Sequence, residues 1–372
     1  MTSTKKQIMV LGGYGGVGKV LSENLLKHTD AKIIISGRNC DQAEHLANAF
    51  KKEFPNRQIQ SAYADATNKD SLKSAFKGVD LAIVTTTTPD HIHTIAEAAI
   101  ESGTDLIDIL VRGDVIDKLE PYRERIIANK RIFITQAGFH PGLPAPFINY
   151  AQTHFDNYQT ANIVMVMNAL FEKPESTHEI IHEIGEANAR ILKNGTWQKA
   201  SYKDALKIKF SENFGTRQCY PLQMKEIYSL EKQLGISNMG VYSAGFNPFV
   251  DNVVFPLTML LQSVHKGMGT NLCGKLMHWG INKYYNGKPG VEFKLLAKGI
   301  KNGKETHYSV TAFSQNAFEF TALAVIACVK QYLDHSIHKP DLYLMGNVVN
   351  CTRTIEELRQ MGIQISETHS EP

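Results

Sequence analysis

A cluster of glycines stands between a short apolar run and an amphipathic stretch near the start of this 372-residue chain. The run is Gln7 to Leu11 (QIMVL), the cluster is GGYGGVG, and KVLSENLLKH follows with apolar residues at helical spacing. Gly13, Gly15 and Gly18 fit GxGxxG, in which the glycines allow a tight turn, the approach of a pyrophosphate and close packing of a helix on a strand. The pattern predicts a strand, a tight turn and a helix.

This arrangement predicts a dinucleotide-binding site. Backbone amides at the N-terminus of a helix attract phosphates. We therefore expect the loop and the first turn of the helix to contact the cofactor through six consecutive residues, namely Gly13, Tyr14, Gly15, Gly16, Val17 and Gly18.

The end of the next predicted strand, Lys32 to Ile35, indicates which dinucleotide is bound. In this type of domain a carboxylate about 20 residues beyond the glycines accepts hydrogen bonds from the 2′-hydroxyl of NAD. This chain has Ser36, Arg38 and Asn39 there, whose hydroxyl, guanidinium and amide groups suit the 2′-phosphate of NADP. The sequence thus favours NADP over NAD. In the alternative interpretation, Arg38 is a surface arginine that stacks on the adenine.

Strands and helices alternate up to about residue 136, which is typical of an α/β, doubly wound parallel sheet of the Rossmann type. The further predicted strands are Gln58 to Ala64, Val79 to Thr85, Leu106 to Leu110 and Arg131 to Gln136. Polar residues follow two of these strands at the carboxyl edge, where ligands bind in such sheets. We expect cofactor contacts from these residues as well, namely Asp65, Thr85, Thr86 and Thr87.

The pattern changes after residue 137, which predicts a second, mixed α/β domain over residues 138–340. Ala161 to Ala169, Phe293 to Gly299 and His307 to Phe313 are predicted strands, and the Asn-Gly pair between the last two is typical of a hairpin. We expect residues 1–137 to form the dinucleotide-binding domain and a C-terminal segment, 341–365, to pack back on it.

Three segments resemble the saccharopine dehydrogenase-like family of NAD(P)-dependent oxidoreductases. They are GGYGGVG together with SGRN, then TQAGFHPGLPAPF at 135–147, and finally 293–363 with FKLLAKGIKNGKETHYSVTA and LYLMGNVVN. The resemblance implies an N-terminal Rossmann domain, a bound NAD(P), and a second domain that forms the wall of the substrate site and a dimer interface. The chain departs from the family's AGxDPG pattern at His140, so the resemblance implies fold and cofactor rather than substrate.

Three residues near the carboxyl edge of the predicted sheet are candidates for catalysis. His140 could donate a proton or orient a substrate carboxylate, because an imidazole can titrate near neutral pH, or it could only cap the Pro141-Gly142 turn. Asp108 and Arg112 could hold an amine and a carboxylate of an amino-acid-like substrate, or they could form a local ion pair.

A competing motif, His178-Glu179-Ile180-Ile181-His182, matches the HExxH pattern of zinc hydrolases. Asn188 stands where a third histidine would complete the longer HExxHxxGxxH motif, and asparagine is a poor zinc ligand. We therefore interpret the motif as an amphipathic surface helix and predict no metal site.

Composition excludes several classes of protein. Lys and Arg total 40 against 37 Asp and Glu, without a long basic run, so nucleic acid is not an expected partner. The five cysteines are far apart and form no CxxC pair, which is typical of free thiols in a reducing compartment. The apolar run from Val253 to Val264 is too short to span a membrane, and the N-terminal apolar run is too short for a secretion signal. We expect a cytoplasmic protein, a homodimer without a membrane partner.

The sequence is compatible with three functions. The first is an NADP-dependent oxidoreductase that transfers a hydride at a C–N or C–O bond of a small, amino-acid-like substrate. The second is a protein that binds NADP without catalysis and acts as a sensor or interaction module. The third is a zinc hydrolase that uses the HEIIH motif.

Overall fold

The computed structural model describes residues 5–170, 175–186, 189–265, 267–285 and 287–370, which form two compact units. The first unit consists of Met1–Leu143 and Phe318–Leu358, and the second of Pro144–Ala317 and Arg359–Pro372. The predicted domain boundaries differ from this division at both ends of the second domain. Residues 138–143 and 318–340 belong to the first unit, and residues 359–365 belong to the second.

The N-terminal part of the first unit contains six strands, with helices between them. Its elements are β1 (Gln7–Leu11), α1 (Gly16–His28), β2 (Lys32–Gly37), α2 (Cys40–Glu53), β3 (Ile59–Tyr63), α3 (Lys69–Phe76), β4 (Leu81–Val84), a 3-10 turn (Pro89–His91), α4 (Ile92–Ser102), β5 (Asp105–Asp108), α5 (Val115–Leu119), a 3-10 turn (Glu120–Tyr122), α6 (Arg123–Ala128) and β6 (Ile132–Thr135).

The second unit begins with a short helix and is richer in strands. Its elements are α7 (Pro144–Tyr150), a 3-10 turn (Ala151–His154), β7 (Asn157–Asn168), α8 (Glu175–Glu186), β8 (Arg190–Lys193), β9 (Thr196–Lys199), a 3-10 turn (Tyr202–Asp204), β10 (Leu206–Lys209), β11 (Thr216–Leu222), a 3-10 turn (Lys225–Ile227), α9 (Leu230–Leu234), β12 (Asn238–Ala244), a π-helical turn (Val250–Val254), α10 (Phe255–Val264), α11 (Thr270–Lys283), β13 (Gly290–Lys301) and β14 (Lys304–Ser314).

The C-terminal part of the chain contributes to both units. Its elements are α12 (Ala317–Leu333), β15 (Asp341–Leu344), α13 (Met345–Val348), α14 (Cys351–Gln360) and β16 (Gln364–Ser370).

The sheet of the first unit is parallel throughout, in the order β15-β6-β5-β4-β1-β2-β3. The strand order reverses between β1 and β4, so the loops after these two strands diverge at one edge and leave a crevice where ligands bind in doubly wound sheets. The predicted Rossmann-type sheet is confirmed, and the C-terminal strand β15 extends it beside β6.

Apolar side chains cover both faces of this sheet, as expected for buried parallel strands. Met9 and Leu11 of β1 pack in one cluster with residues of α3 and α4, whereas Ile8 and Val10 point to the opposite face and are equally buried. Helix α12 is buried along most of its length and is tied to this unit by Tyr332, whose hydroxyl donates to Asp105 at 2.7 Å. This burial explains why residues 318–340 belong with the first unit.

The mixed sheet predicted for the second unit is confirmed, and it has nine strands. Its main path runs β10-β11-β12-β7-β13-β14-β16, in which β12 and β7 are parallel and the other pairs are antiparallel. The predicted hairpin turns at Asn302 and Gly303, which have φ of 52° and 75°. Strand β16 is anchored through Glu367, which accepts hydrogen bonds from Tyr308 at 2.6 Å and Tyr150 at 3.0 Å. Residues 359–370 therefore belong to this unit.

Helices α8, α10 and α11 of the second unit pack together beside the sheet. Helices α8 and α11 approach each other closely at Gly274 of α11, where a Cβ atom would lie 2.0 Å from Cδ2 of His178 on α8. The buried hydroxyl of Thr177 donates to the Gly274 carbonyl at 2.8 Å. His178 is therefore part of a helix contact. No helix in the described part of the chain combines the length and the apolarity that a membrane span requires.

We expect the Gly274→Ala variant to lose about 1–3 kcal/mol of unfolding free energy, because its methyl group would overlap the His178 ring. In the double variant His178→Ala/Gly274→Ala the ring is absent, so the loss should be smaller than the sum of the two single losses. Urea unfolding of the four proteins of this cycle measures the coupling. Strict additivity would contradict the contact.

Candidate functional site

The glycine turn after β1 brings the backbone of α1 unusually close to the sheet. A Cβ atom at Gly18 would lie 2.1 Å from the Gly12 carbonyl oxygen and 2.8 Å from Oγ1 of Thr85, and one at Gly13 would lie 3.0 Å from the Val10 carbonyl oxygen. Gly15 and Gly16, at the start of α1, are exposed. The turn thus leaves the first amides of the helix open to a phosphate, and these residues fit a dinucleotide.

Gly12, which the sequence analysis did not include among the site residues, provides the left-handed backbone of the turn with φ of +88°. The amides of Gly12 and Gly13 both donate to the Ser36 carbonyl, at 2.8 and 3.0 Å. The sharp turn attributed to Gly13 therefore begins one residue earlier. The doubled glycine directly after a strand was the signal that could have identified it.

Tyr14 fixes the end of β2. Its ring lies against Gly37, where a Cβ atom would come within 2.5 Å of Cε1, and its hydroxyl accepts a hydrogen bond from the Asn39 amide at 2.9 Å. The Asn39 side chain accepts from the Gln42 amide at 3.0 Å and caps α2. A shallow cavity of about 490 Å³ opens beside these residues, and Lys19 and His45 also line it.

The three residues predicted to contact the 2′-phosphate differ in accessibility. Ser36 is fully buried and donates its hydroxyl to the Val10 carbonyl at 3.0 Å, so its predicted role as a ligand donor is not supported by its surroundings. Asn39 acts as the helix cap. Arg38 is exposed at the end of β2. Arg38 is thus the one of the three whose charged group faces solvent.

Asp65 follows β3 and lies within electrostatic reach of Arg38. Its Oδ1 accepts hydrogen bonds from the amide and the hydroxyl of Thr67, at 2.9 and 2.8 Å. The hydrogen bond from the Thr67 amide lowers the pKa of Asp65 most, and the charges of Arg38 and His91 lower it further. Asp65 therefore holds a negative charge beside the residue that is expected to bind a phosphate.

The threonines that follow β4 lie at the reversal of strand order between β4 and β1. The amide and the hydroxyl of Thr85 both donate to the Leu11 carbonyl at 2.9 Å. Cγ2 of Thr86 would be 2.7 Å from a Cβ atom at Gly12, and its hydroxyl is 2.7 Å from that of Thr88. Thr87 is exposed. The glycine turn and the threonines thus form one continuous surface.

Asp108, at the end of β5, is completely buried. Its Oδ1 accepts hydrogen bonds from the amides of Leu110 and Gln136, both at 3.1 Å, while Oδ2 has no partner of normal geometry among the described residues. Burial raises the pKa of Asp108 to about 6, although hydrogen bonding to Thr135 and to the two amides acts in the opposite direction. Its position fixes the loops after β5 and β6, and its burial does not support direct contact with a substrate amine.

Gln136 shows how tightly these loops are held. It has the left-handed φ of 57° that a non-glycine residue rarely adopts, and its side-chain amide donates to the Arg112 carbonyl at 2.9 Å. Its backbone amide donates to Asp108. Backbone strain of this kind persists where surrounding contacts determine the conformation.

His140 lies in the segment after β6, beside Phe139. Burial lowers its pKa to about 4, so the imidazole is neutral at physiological pH, and Nε2 has no hydrogen-bond partner among the described residues. The pKa of His140 thus lies below the near-neutral range expected from the sequence, because its buried Nε2 lacks the hydration that stabilises a charged imidazole.

Arg112 forms ion pairs, but not the pair with Asp108 that the sequence left open as an alternative. Its guanidinium donates to Asp114 through Nε at 3.1 Å and Nη2 at 2.5 Å, and to Asp90 through Nη1 at 2.7 Å. Lys118 bonds to Asp90 as well. The guanidinium nitrogens of Arg112 are thus occupied by Asp114 and Asp90, and Asp108 takes no part in these ion pairs.

The first turn of α12 borders this surface, which the sequence did not predict. The Phe318 ring lies 3.4 Å from where a Cβ atom of Gly16 would be, and Phe320 stacks on Phe139 with centroids 5.0 Å apart. Thr321 is close to Gly138. Helix α12 thus contacts both the start of α1 and the segment that contains His140.

The HEIIH motif lies on α8 in the second unit. Thr177 and Ile181 of this helix are buried, whereas His178 is half-buried and packs against Gly274, as one face of an amphipathic helix would. No three His, Cys, Asp or Glu side chains within the described ranges are grouped so that they could hold a metal ion. Asn188 lies outside the described residues.

Comparisons with known proteins support this description. Residues 8–136 match the family model described as the saccharopine dehydrogenase NADP binding domain, which confirms the predicted resemblance. None of the curated proteins matches the sequence. The fold is similar to apo saccharopine dehydrogenase (L-Glu forming) from Saccharomyces cerevisiae, with a TM-score of 0.70 and 13% identity over 98% of this chain and 100% of that chain. It is also similar to the DAP dehydrogenase of C. glutamicum in complex with DAP, with a TM-score of 0.52 and 11% identity over 97% and 100%.

We expect Gly18→Ala to destabilise the protein by about 1–3 kcal/mol, because its methyl group would overlap the Gly12 carbonyl and the Thr85 hydroxyl. Gly16→Ala is the matched control, since a Cβ atom there would meet the Phe318 ring at an ordinary 3.4 Å. Thermal unfolding of both variants without cofactor checks this prediction. Equal melting temperatures for the two variants would show that the close approach at Gly18 is not needed.

We expect the stability of the protein to depend on the ionisation of Asp108. Its pKa is about 6 in the folded protein and near the ordinary value of 3.8 when unfolded, so the unfolded state loses the proton first as the pH rises. The unfolding free energy should fall by about 2–3 kcal/mol between pH 4 and pH 7 from this group, and Asp108→Asn should abolish that fall. Urea unfolding of both proteins across this range measures it. If the unfolding free energies of the wild-type protein and Asp108→Asn differed by the same amount at every pH, the raised pKa of Asp108 would be contradicted.

Proposed function

We propose that this chain, whose residues 8–136 match the NADP binding domain of saccharopine dehydrogenase, is an NADP-dependent oxidoreductase. Its reaction is a hydride transfer at a C–N or C–O bond of a small, amino-acid-like substrate. The observation that carries the proposal is the open glycine turn at the strand reversal, next to a β2 end that presents Arg38 and no carboxylate.

The residues of the first unit supply the binding part of this activity. The amides of the first turn of α1, which begins at Gly16, receive the pyrophosphate, since the N-terminus of a helix provides unpaired donors. The Gly15 amide is not one of these donors, because it donates to the Gly12 carbonyl at 2.9 Å. Arg38 binds the 2′-phosphate by charge-assisted hydrogen bonds, and Lys19 and His45 line the adjoining cavity. When bound, the nicotinamide supplies or accepts the hydride.

A proton must also be exchanged, and the three predicted catalytic residues differ in their fitness for this task. Asp108, with a pKa of about 6, has a protonation equilibrium closest to neutral pH, but it is buried. His140 is neutral, and Arg112 is engaged with Asp114 and Asp90. We therefore assign Asp108 the role of a positioning residue, which holds the Gln136 segment through its amide.

These same observations favour a second candidate function, a protein that binds NADP and has no catalysis of its own. None of the three side chains offers an accessible group that titrates near neutral pH in the described structure. Under this second proposal, the cofactor occupies the same glycine turn and changes only the protein's stability. A homodimer, a cytoplasmic location and the absence of nucleic acid and membrane partners remain predictions.

We expect NADPH to bind at least about tenfold more tightly than NADH, because a charge-assisted hydrogen bond contributes about 1.5–3 kcal/mol. Arg38→Ala should remove most of this preference and leave NADH affinity unchanged. Fluorescence titration of both reduced cofactors measures it. Arg190→Ala, which removes an arginine from β8 of the second unit, is the matched control.

Equal affinities of the wild-type protein for NADPH and NADH would contradict the assigned role of Arg38. The same preparation distinguishes the two candidate functions when it is incubated with NADP and a panel of amino acids, or with NADPH and oxo acids in the presence of amines. Oxidation or reduction of the cofactor above the rate without protein supports the oxidoreductase. Tight NADPH binding without turnover supports the second function.

A further inference from the structure

The second unit contains a cavity that is separate from the glycine turn. It has a volume of about 370 Å³ and opens at the ends of the parallel strands β7 and β12. Asn168 at the end of β7 lines it, together with the loop 245–249 that follows β12. Cavities that hold small molecules usually measure about 300–1,000 Å³, so this one is large enough for a small ligand.

Aromatic rings form much of the wall of this second-unit cavity. Phe214, Phe246, Phe249 and Tyr284 all line it, with Val166 and Met167 beside them. The rings of Phe249 and Tyr284 are tilted by 38°, with centroids 6.0 Å apart. Such a wall binds the apolar or aromatic body of a ligand.

Arg217 of β11 is the cationic residue of the wall. Its Nε donates to the Phe214 carbonyl at 2.9 Å, which orients the guanidinium and leaves its terminal nitrogens for other acceptors. Within the described ranges, no carboxylate forms an ion pair with it inside 4.0 Å. The arginine therefore offers the fork of donors that matches a carboxylate.

Asp251 interacts electrostatically with Arg217 without forming an ion pair with it. Its carboxylate accepts a hydrogen bond from the Phe246 amide at 2.9 Å and lies against Gly245, and it is not among the residues that line the cavity. Burial raises the pKa of Asp251, while the amides of Phe246 and Asn247 and the charge of Arg217 lower it. The loop amides thus satisfy this carboxylate outside the cavity wall.

The loop that closes the cavity is held in place before any ligand arrives. Oδ1 of Asn247 accepts hydrogen bonds from the amides of Phe249 and Val250, at 3.1 and 3.0 Å, and its Nδ2 donates to the Gly280 carbonyl at 3.3 Å. A preformed wall reduces the ordering cost of binding.

We infer that the second-unit cavity binds a small monocarboxylic acid with an aromatic or apolar body, whose carboxylate pairs with Arg217. A phosphate is a poorer match, because Arg217 is the only cationic side chain among the described residues that line the cavity. The inference concerns a binding site of the second unit and does not depend on the proposed function. As a binding site it can be tested without NADP.

The fluorescence of Trp279 can report ligand binding, because the centroid of its ring lies 5.2 Å from that of Phe249 and 6.1 Å from that of Tyr284, and both of these rings are in the cavity wall. The chain has two tryptophans, so Trp197→Phe leaves Trp279 as the sole reporter. Full-length Trp197→Phe protein is titrated with phenylacetate, phenylacetamide and acetate without cofactor. We expect a saturable fluorescence change with phenylacetate. Phenylacetamide, which lacks the carboxylate charge, and acetate, which lacks the aromatic ring, should each bind about tenfold more weakly or less tightly still.

Arg217→Met in this background should weaken phenylacetate binding about tenfold or more, and Arg217→Lys should restore part of it. Arg190→Met, another arginine of the second unit, should leave binding unchanged. Equal binding of phenylacetate and phenylacetamide, or no saturable change with either, would overturn the inference, and this comparison does not depend on the folding of an Arg217 variant. NADPH titration of the same protein reports on the proposed function separately: phenylacetate binding without NADPH binding refutes that function and leaves the cavity assignment intact.

Discussion

The dinucleotide site depends on one steric constraint, the contact of the α1 backbone with the turn after β1. At Gly18 the helix is so close to the Gly12 carbonyl and Thr85 that any side chain would overlap them. This contact sets the direction of α1, so that its first amides point out of the sheet at the reversal between β1 and β4. The left-handed Gly12 and its bond to the Ser36 carbonyl complete the turn. The cofactor site is therefore built from backbone, and the surrounding side chains mainly secure that backbone.

The polar side chains at the ends of β5 and β6 likewise secure the backbone of the neighbouring loops. Asp108 accepts hydrogen bonds from two loop amides, and Gln136 is held in a strained conformation partly by its bond to the Arg112 carbonyl. A carboxylate buried in this way loses hydration, which raises its pKa, but the two amides keep it in place. These residues lie where ligands bind in such sheets, yet their first role is to shape the loops.

Much of the first unit could be predicted from sequence because its signals are local. The β-branched runs, the glycine pattern and the helical spacing that follows determine strand, turn and helix without knowledge of distant residues. The failures concern properties that depend on tertiary surroundings. Ser36 was predicted to donate to a phosphate. Successive side chains of a strand point to opposite faces, however, and the Ser36 hydroxyl points inward and donates to the Val10 carbonyl. His140 was expected to titrate near neutral pH, and its burial lowers the pKa to about 4. His178 packs on Gly274, more than 90 residues away in sequence, which no local pattern indicates.

Three arginines show why residue type alone does not define a site. Arg112 is surrounded by Asp114 and Asp90, so its charge is neutralised within the protein. Arg38 is exposed and has Asp65 within electrostatic reach, so a ligand phosphate there competes with a weaker, solvated partner. Arg217 is oriented by a carbonyl, and Asp251, which interacts with it electrostatically, accepts a hydrogen bond from a loop amide. Because an anion binds where a cation is oriented but not already paired, the surroundings of Arg38 and Arg217 favour ligand binding, whereas those of Arg112 favour structure.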